Sequence, residues 1–439
     1  MSLKESLEIR SDVFWDPKDL EKELYRVSDI CHGCRLCFNL CPSFPALFDA
    51  IDDRHDGDPS RLAPGELDRV VDLCYQCQMC YVKCPYTPPH DYMLDFPLLM
   101  QRAKILRAKE KGVGRKEKFL GNTDLVGAMG SLGAPLSNWV NRSAPGRWFL
   151  EKFAGIHRQR LLPPFHRKTF DAWFQKRRQR IKKASAGTGG KVVFFSTCSV
   201  NYNYPEIGRA AVQVLLHNGV EVVAPPARCC GMPNLDSGNI EDAKANMEAN
   251  VRALLPWVER GYRIVIPQPT CSMTFKHKVP WVLGTDASRR VAGATRDLGE
   301  YLMELRKEGG LRLDFPDGGG RYAYHLPCHL KAQNIGTKSR DLLALIPGAQ
   351  VRLVERCSGM DGTWGMKGEF FDESLKVAAK LFREIEEVEG EVLVSDCTLS
   401  GLQIRQGLGR PARHPVEVLR DAYGLPRNGE IQQKGNGKA

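Results

Sequence analysis

The chain has 439 residues, of which 42% are hydrophobic and fifteen are cysteines, and it carries a formal net charge of +11. That length holds two or three domains with a substantial core. It has no run of eighteen apolar residues and no apolar stretch in its opening MSLKESLEIR, which excludes a spanning helix and argues against a secretory leader.

Many cysteines without an export signal point to a cytoplasmic protein that uses thiolates for metals rather than crosslinks. The charge is uneven. Residues 1–98 hold 10 Lys/Arg against 18 Asp/Glu, and residues 99–183 hold 21 against 5. An acidic region beside a basic strip gives two surfaces for different partners.

In chain order, a repeated phrase comes first: Cys31-x2-Cys34-x2-Cys37-x3-Cys41-Pro42, then Cys74-x2-Cys77-x2-Cys80-x3-Cys84-Pro85. Three thiolates at this spacing hold one corner of an iron–sulfur cube, and the cysteine before proline reaches across to the other cube. Cys31, Cys34, Cys37 and Cys84 are therefore paired on one 4Fe–4S cluster, and Cys74, Cys77, Cys80 and Cys41 on the second. Structural zinc would call for two Cys-x2-Cys knuckles further apart, and a disulfide framework suits a short secreted chain. Helices are predicted over 66–73 and 91–111, and strand-like alternation is scarce. Residues 1–111 thus read as a helical ferredoxin module.

Residues 112–190 read as a connector with Gly and Pro punctuation and the aromatics Trp139, Trp148, Phe149, Trp173 and Phe174. It closes on Lys176-Arg177-Arg178-Gln179-Arg180-Ile181-Lys182-Lys183 and a Ser/Gly-rich hinge at 184–190. Such a charge block is either a solvated helix face or a contact with an anionic membrane surface. In the second case each cation contributes about 1 kcal/mol and the tryptophans serve as interfacial anchors. No nucleic-acid recognition motif accompanies the charge.

From 191 the chain repeats itself, with repeats predicted at 191–320 and 321–425 and a disordered tail at 426–439. Strands are expected at 191–196, 220–224 and 262–266, with helices at 205–218 and 239–260. In the second repeat strands are expected at 321–326, 351–354 and 391–395, with helices at 341–345 and 370–388. Cys198, Cys229 and Cys271 match Cys328, Cys357 and Cys397 at offsets of 130, 128 and 126 residues. Strand–helix alternation predicts mainly parallel sheets, and every cysteine follows the carboxyl end of a strand, where open α/β sheets place their ligand sites. One thiol cluster per repeat is the expectation. The chain as a whole reads as α+β and multidomain.

The repeats resemble the cysteine-rich CCG domains of heterodisulfide reductase subunits and lactate-utilisation proteins. The motifs are Thr197-Cys198, Cys229-Cys230-Gly231, Pro269-Thr270-Cys271-Ser272, Pro327-Cys328-His329 and Cys357-Ser358-Gly359. With Asn201-Tyr202-Asn203-Tyr204-Pro205 and Gly362-Thr363-Trp364-Gly365, nearly the whole chain is similar to the family of the C subunits of anaerobic glycerol-3-phosphate dehydrogenase. The resemblance implies an electron carrier that takes electrons from a flavin-bearing partner and passes them toward quinone at the membrane.

The chain departs from the full CCG pattern. Thr274, Ser358 and Ser400 stand where that pattern has cysteine. The first repeat keeps four thiols, Cys198, Cys229, Cys230 and Cys271, enough for a further cluster. The second keeps Cys328, Cys357 and Cys397, with His329 as a candidate fourth ligand or, alternatively, a relic repeat whose cysteines pack. The five thiols of a disulfide-cleaving centre occur in neither repeat. No flavin or nicotinamide fingerprint is present. The leading expectation is therefore an electron-transfer subunit that is not catalytic alone. A CCG-type thiol/disulfide reductase and a membrane-associated tether are the rivals.

Overall fold

The computed structural model describes residues 5–185, 189–316, 318–388 and 390–431. Its N-terminal part is helical, as expected. Helix α1 (Pro17–Cys34) starts on Asp16, whose side chain accepts from the Lys18 N–H, with proline in its first turn. Helices α2 (Ser43–Arg54) and α3 (Pro64–Leu73) follow, then the short α4 (Met79–Lys83) and α5 (Phe96–Lys111). Helix α5 begins at Phe96 rather than at 91, because Asp95 accepts from the Leu98 N–H and Pro97 occupies its first turn. Phe44, Leu47, Phe48 and Ile51 of α2, Val70 and Val71 of α3, and Leu99 and Met100 of α5 form one core that also takes in Cys74 and Cys80. The candidate ligands are therefore part of the packing of this core.

The connector is more ordered than a tether. It folds into α6 (Arg115–Gly121), α7 (Thr123–Leu132), α8 (Ala134–Val140), α9 (Ala144–Ala154) and α10 (Phe170–Ala184). Helix α10 buries Phe170, Trp173, Phe174 and Ile181 in the main core, so Trp173 and Phe174 are packing residues and not interfacial anchors. Of the hinge expected at 184–190, residues 186–188 lie outside the described residues.

Each repeat forms a four-stranded parallel sheet. The first has the order β2-β1-β3-β4, from β1 (Lys191–Phe194), β2 (Glu221–Val223), β3 (Arg263–Ile266) and β4 (Thr295–Asp297). The second has the order β6-β5-β7-β8, from β5 (Arg321–His325), β6 (Gln350–Val354), β7 (Val392–Ser395) and β8 (Ala412–Arg413). Val192, Val193 and Phe194 are fully buried, as in a sheet covered on both faces. Strands β4 and β8 were not expected from the sequence. They are two or three residues long, too short for a readable pattern.

Helices Pro205–His217 and Pro415–Ala422 pack across the two repeats and fuse their cores. The tail expected to be disordered from 426 is corrected in part. Trp173 Nε1 donates to the Gly429 carbonyl at 3.2 Å, and Gln213 Nε2 donates to those of Pro426 and Glu430 at 2.9 and 2.8 Å. Residues 432–439 lie outside the described residues.

Candidate iron–sulfur centres

The two N-terminal cysteine loops have the same tight form. Arg35, between Cys34 and Cys37, has φ 52°, and Gln78, at the matching place between Cys77 and Cys80, has φ 64°, while Gln76 has φ 56°. Left-handed backbone at a residue other than glycine is uncommon and costs of order 1 kcal/mol or more. It persists where the turn must aim several side chains at one point.

Cys31, Cys34, Cys37 and Cys84 line a single small cavity, walled by Phe44 and Phe48. This is the crossed set expected from the spacing. Burial first, and then the neighbouring cysteines, push the Cys31 thiol up, and the same causes push Cys37 up to about 11. Cys74, Cys77 and Cys80 are buried. Burial, then Cys41 and Cys74, holds the Cys80 thiol well up, and burial, then Cys74, pushes Cys41 up to about 12. So Cys41 stands with the second run and Cys84 with the first. Thiols in such surroundings ionise only when a metal neutralises the charge. Among the described residues no three His, Cys, Asp or Glu side chains converge tightly enough to hold a single metal ion. The donor sets are all sulfur and crossed between the two runs, which fits the ligand pattern of a two-cluster iron–sulfur module.

The first repeat gathers its four thiols beyond the ends of β1, β2 and β3. Cys229, Cys230 and Cys271 share one core with Cys198 packed against it, and the neighbouring thiols lower the Cys229 thiol and raise those of Cys198 and Cys230. The N-terminus of α7 closes over them. The Asp124 carboxylate accepts from the Cys229 N–H at 2.8 Å, and the buried Thr123 hydroxyl lacks a hydrogen bond of ordinary geometry. Thr274 donates instead to the Thr270 carbonyl at 2.7 Å and serves its helix.

The second repeat brings Cys328, Cys357 and Cys397 together, and burial raises all three thiols. Ser358 and Ser400, the two cysteine replacements, meet at 3.0 Å. Their positions therefore converge as ligand positions would, with weaker donors. His329 is corrected as a candidate ligand. Its Nδ1 meets Thr270 Oγ1 at 2.8 Å and its Nε2 meets the Gln76 carbonyl at 3.0 Å, so both ring nitrogens are engaged away from the thiols.

Sequence reading missed the junction between module and repeat. Tyr75 reaches from the second cysteine run to Cys357, its hydroxyl 3.3 Å from the sulfur, and its ring packs on Trp364 at 4.7 Å. Trp364 Nε1 donates to the Asp72 carbonyl at 2.9 Å. The Gly362-Thr363-Trp364-Gly365 phrase carries a family resemblance but no signal of this contact. Tyr75 gave no signal either, since contacts 282 residues apart in sequence leave no periodic trace.

Residues 192–276 and 322–405 each match the cysteine-rich domain family, CCG, and residues 24–111 match the Fer4-like domain of citrate utilization protein B. The C subunit of anaerobic glycerol-3-phosphate dehydrogenase from Escherichia coli (strain K12) is 29% identical over 310 residues, covering 69% of this chain and 76% of that one. Lactate utilization protein A of Geobacillus thermodenitrificans (strain NG80-2) is 31% identical over 245 residues, covering 52% of this chain and 98% of the relative. The B subunit of fumarate reductase (CoM/CoB) from Methanothermobacter marburgensis is 26% identical over 246 residues, covering 54% and 46%. The chain belongs to the family of lactate utilization protein A and the C subunit of anaerobic glycerol-3-phosphate dehydrogenase, with the cysteine-rich CCG domain present twice and a Fer4-like domain ahead of it.

Proposed function

We propose that this chain is the iron–sulfur electron-transfer subunit of an oxidoreductase complex, relaying single electrons from a flavin-bearing partner toward quinone or another acceptor. The observation that carries this reading is the crossed thiol set, Cys31, Cys34, Cys37 and Cys84, around one cavity. Bound clusters would supply one-electron redox chemistry. The chain supplies ligands, spacing and exclusion of water. Cys31, Cys34, Cys37 and Cys84 hold the first 4Fe–4S cluster, and Cys74, Cys77, Cys80 and Cys41 the second. Cys198, Cys229, Cys230 and Cys271 hold a third, and the Cys328, Cys357 and Cys397 thiols hold a fourth centre. Substrate chemistry belongs to the partner, which two relatives named as oxidoreductase subunits support.

The test is iron and acid-labile sulfide per chain after anaerobic purification, with EPR of the reduced form. About eight irons load the module alone, about twelve add the first repeat and about sixteen add both. Iron-free, zinc-loaded protein ends the proposal.

A peripheral position on the inner face of the cell membrane is supported by one surface. On helices α7 to α9, Leu132 is 82% exposed, Leu136 66%, Met129 65% and Phe153 64%, with Trp139, Trp148 and Phe149 beside them in sequence and also exposed. Residues 115–158 hold seven Lys/Arg against three Asp/Glu. Among the described residues no helix is long and apolar enough to cross a membrane, so the contact is interfacial. The chain is expected to sediment with vesicles containing anionic lipid at low salt and to bind less at high salt. A Leu132→Asp, Leu136→Asp double variant should lose most of this binding. Binding that ignores lipid charge, salt and these substitutions counts against it.

A further inference from the structure

The thiols of the second repeat are nearer the ferredoxin module than those of the first. Cys328 and Cys357 pack against the same cluster as Tyr75 and Cys77 of the module. Cys229, Cys230 and Cys271 lie in a different core, with Cys198 packed against it. Tyr75 to Cys357, His329 to the Gln76 carbonyl and Trp364 to the Asp72 carbonyl all span the near junction. Tyr75 is 2% exposed and Trp364 6%, so both rings are buried at the junction. The left-handed Gln76 turns its carbonyl to His329, while its side chain donates to the Pro97 carbonyl at 3.0 Å. Nothing in the cysteine motif calls for a tyrosine at position 75.

We propose that Tyr75 is a positioning residue for electron transfer: its hydroxyl donates to the Cys357 sulfur and makes the second repeat the first receiver of electrons leaving the ferredoxin module. This rests on the proposed function, and in particular on a cluster at Cys328, Cys357 and Cys397. A hydrogen bond to a ligand sulfur stabilises the reduced, more negative state and raises the potential. Tyr75 thereby makes the three-thiol centre easier to reduce, and its ring fills the gap between the two thiol sets. One electron passes at a time, supplied by the flavin-bearing partner or by dithionite in the assay. No bond forms or breaks, and the phenolic proton stays on its oxygen.

The test is Tyr75→Phe in the full chain, purified anaerobically, with EPR-monitored redox titration of every centre. The ring and its packing on Trp364 remain, so folding and an iron content of about sixteen per chain are expected to match the parent. The second-repeat signal should move to more negative potential while the other signals stay in place. The control is Tyr25→Phe, which loses a bond to the Leu62 carbonyl at 2.8 Å in the same module and should shift nothing. Full iron with no shift overturns the inference and leaves the electron-transfer reading standing. Equal shifts at every centre, or an equal shift in the control, also overturn it. A parent chain with about twelve irons removes the second-repeat cluster itself, and the inference with it. Iron counting thus separates that failure from a failure of Tyr75.

Discussion

A Cys77→Ser chain is expected to lose about four irons and a large share of its thermal stability, whereas Cys34→Ser loses about four irons at a smaller structural cost. The contrast follows from placement. Cys34 is exposed, at the end of α1. Cys77 is buried among Leu73, Tyr75, Trp364 and Phe370, where the ferredoxin module meets the second repeat. Serine at 77 puts a weak ligand and a polar hydroxyl into that buried contact. The left-handed Gln76 and Gln78 on either side then lose the ligation that offsets their strain. Loss of a buried metal ligand costs on the order of 3–5 kcal/mol, because metal binding and folding are coupled. The check is iron analysis and a thermal melt of both variants under argon. Full iron and an unshifted melt in Cys77→Ser would remove the second cluster from this account.

The difference between those positions was not legible in the sequence, although the cysteine runs and repeats were. Cysteine spacing is a local pattern, so the two runs and the matched cysteines of the repeats could be read directly. Long helices and strands were equally plain, because β1, β3, β5 and β7 are largely buried strands flanked by clear turn signals. Residues whose role depends on distant partners escaped. His329 resembles a ligand because it adjoins Cys328, but Gln76 and Thr270 engage its ring. Trp173 resembles a membrane anchor because it precedes six cations, yet α10 turns it inward and leaves the charges outside. The exposed aromatics that remain, Trp139, Trp148 and Phe149, are in the same composition-biased stretch. Composition located the apolar surface, and only packing separated its members from the core.

Arg102 shows the same rule with a large energetic consequence, and Arg102→Met is expected to destabilise the N-terminal module by about 3–5 kcal/mol. The side chain of Arg102 is fully buried. Its Nε donates to the Phe14 carbonyl at 2.7 Å, and Nη2 donates to those of Val13 and Asp16 at 2.7 and 3.1 Å. Nη1 meets Asp19 Oδ2 at 2.8 Å, and the guanidinium stands over the Phe14 ring at 5.4 Å. Burial lowers its pKa, offset by Asp19. Methionine fills similar space but takes a donor from three carbonyls and the cation from the Asp19 carboxylate, which keeps only the Ser6 hydroxyl at 2.8 Å. Lysine, a point charge without the planar fork, restores little. The effect reaches the cysteines through α5, because Lys104 donates to the Cys74 carbonyl at 2.6 Å and the Pro97 carbonyl receives Gln76. Loosening α5 frees the second cysteine loop, so iron at that loop should become more labile to chelators as the melt falls. Adding Asp19→Leu to Arg102→Met removes the buried carboxylate left without its cation and should recover about 1 kcal/mol or more. If the single variant melts with the parent, the guanidinium is not what fastens residues 13–19 to α5.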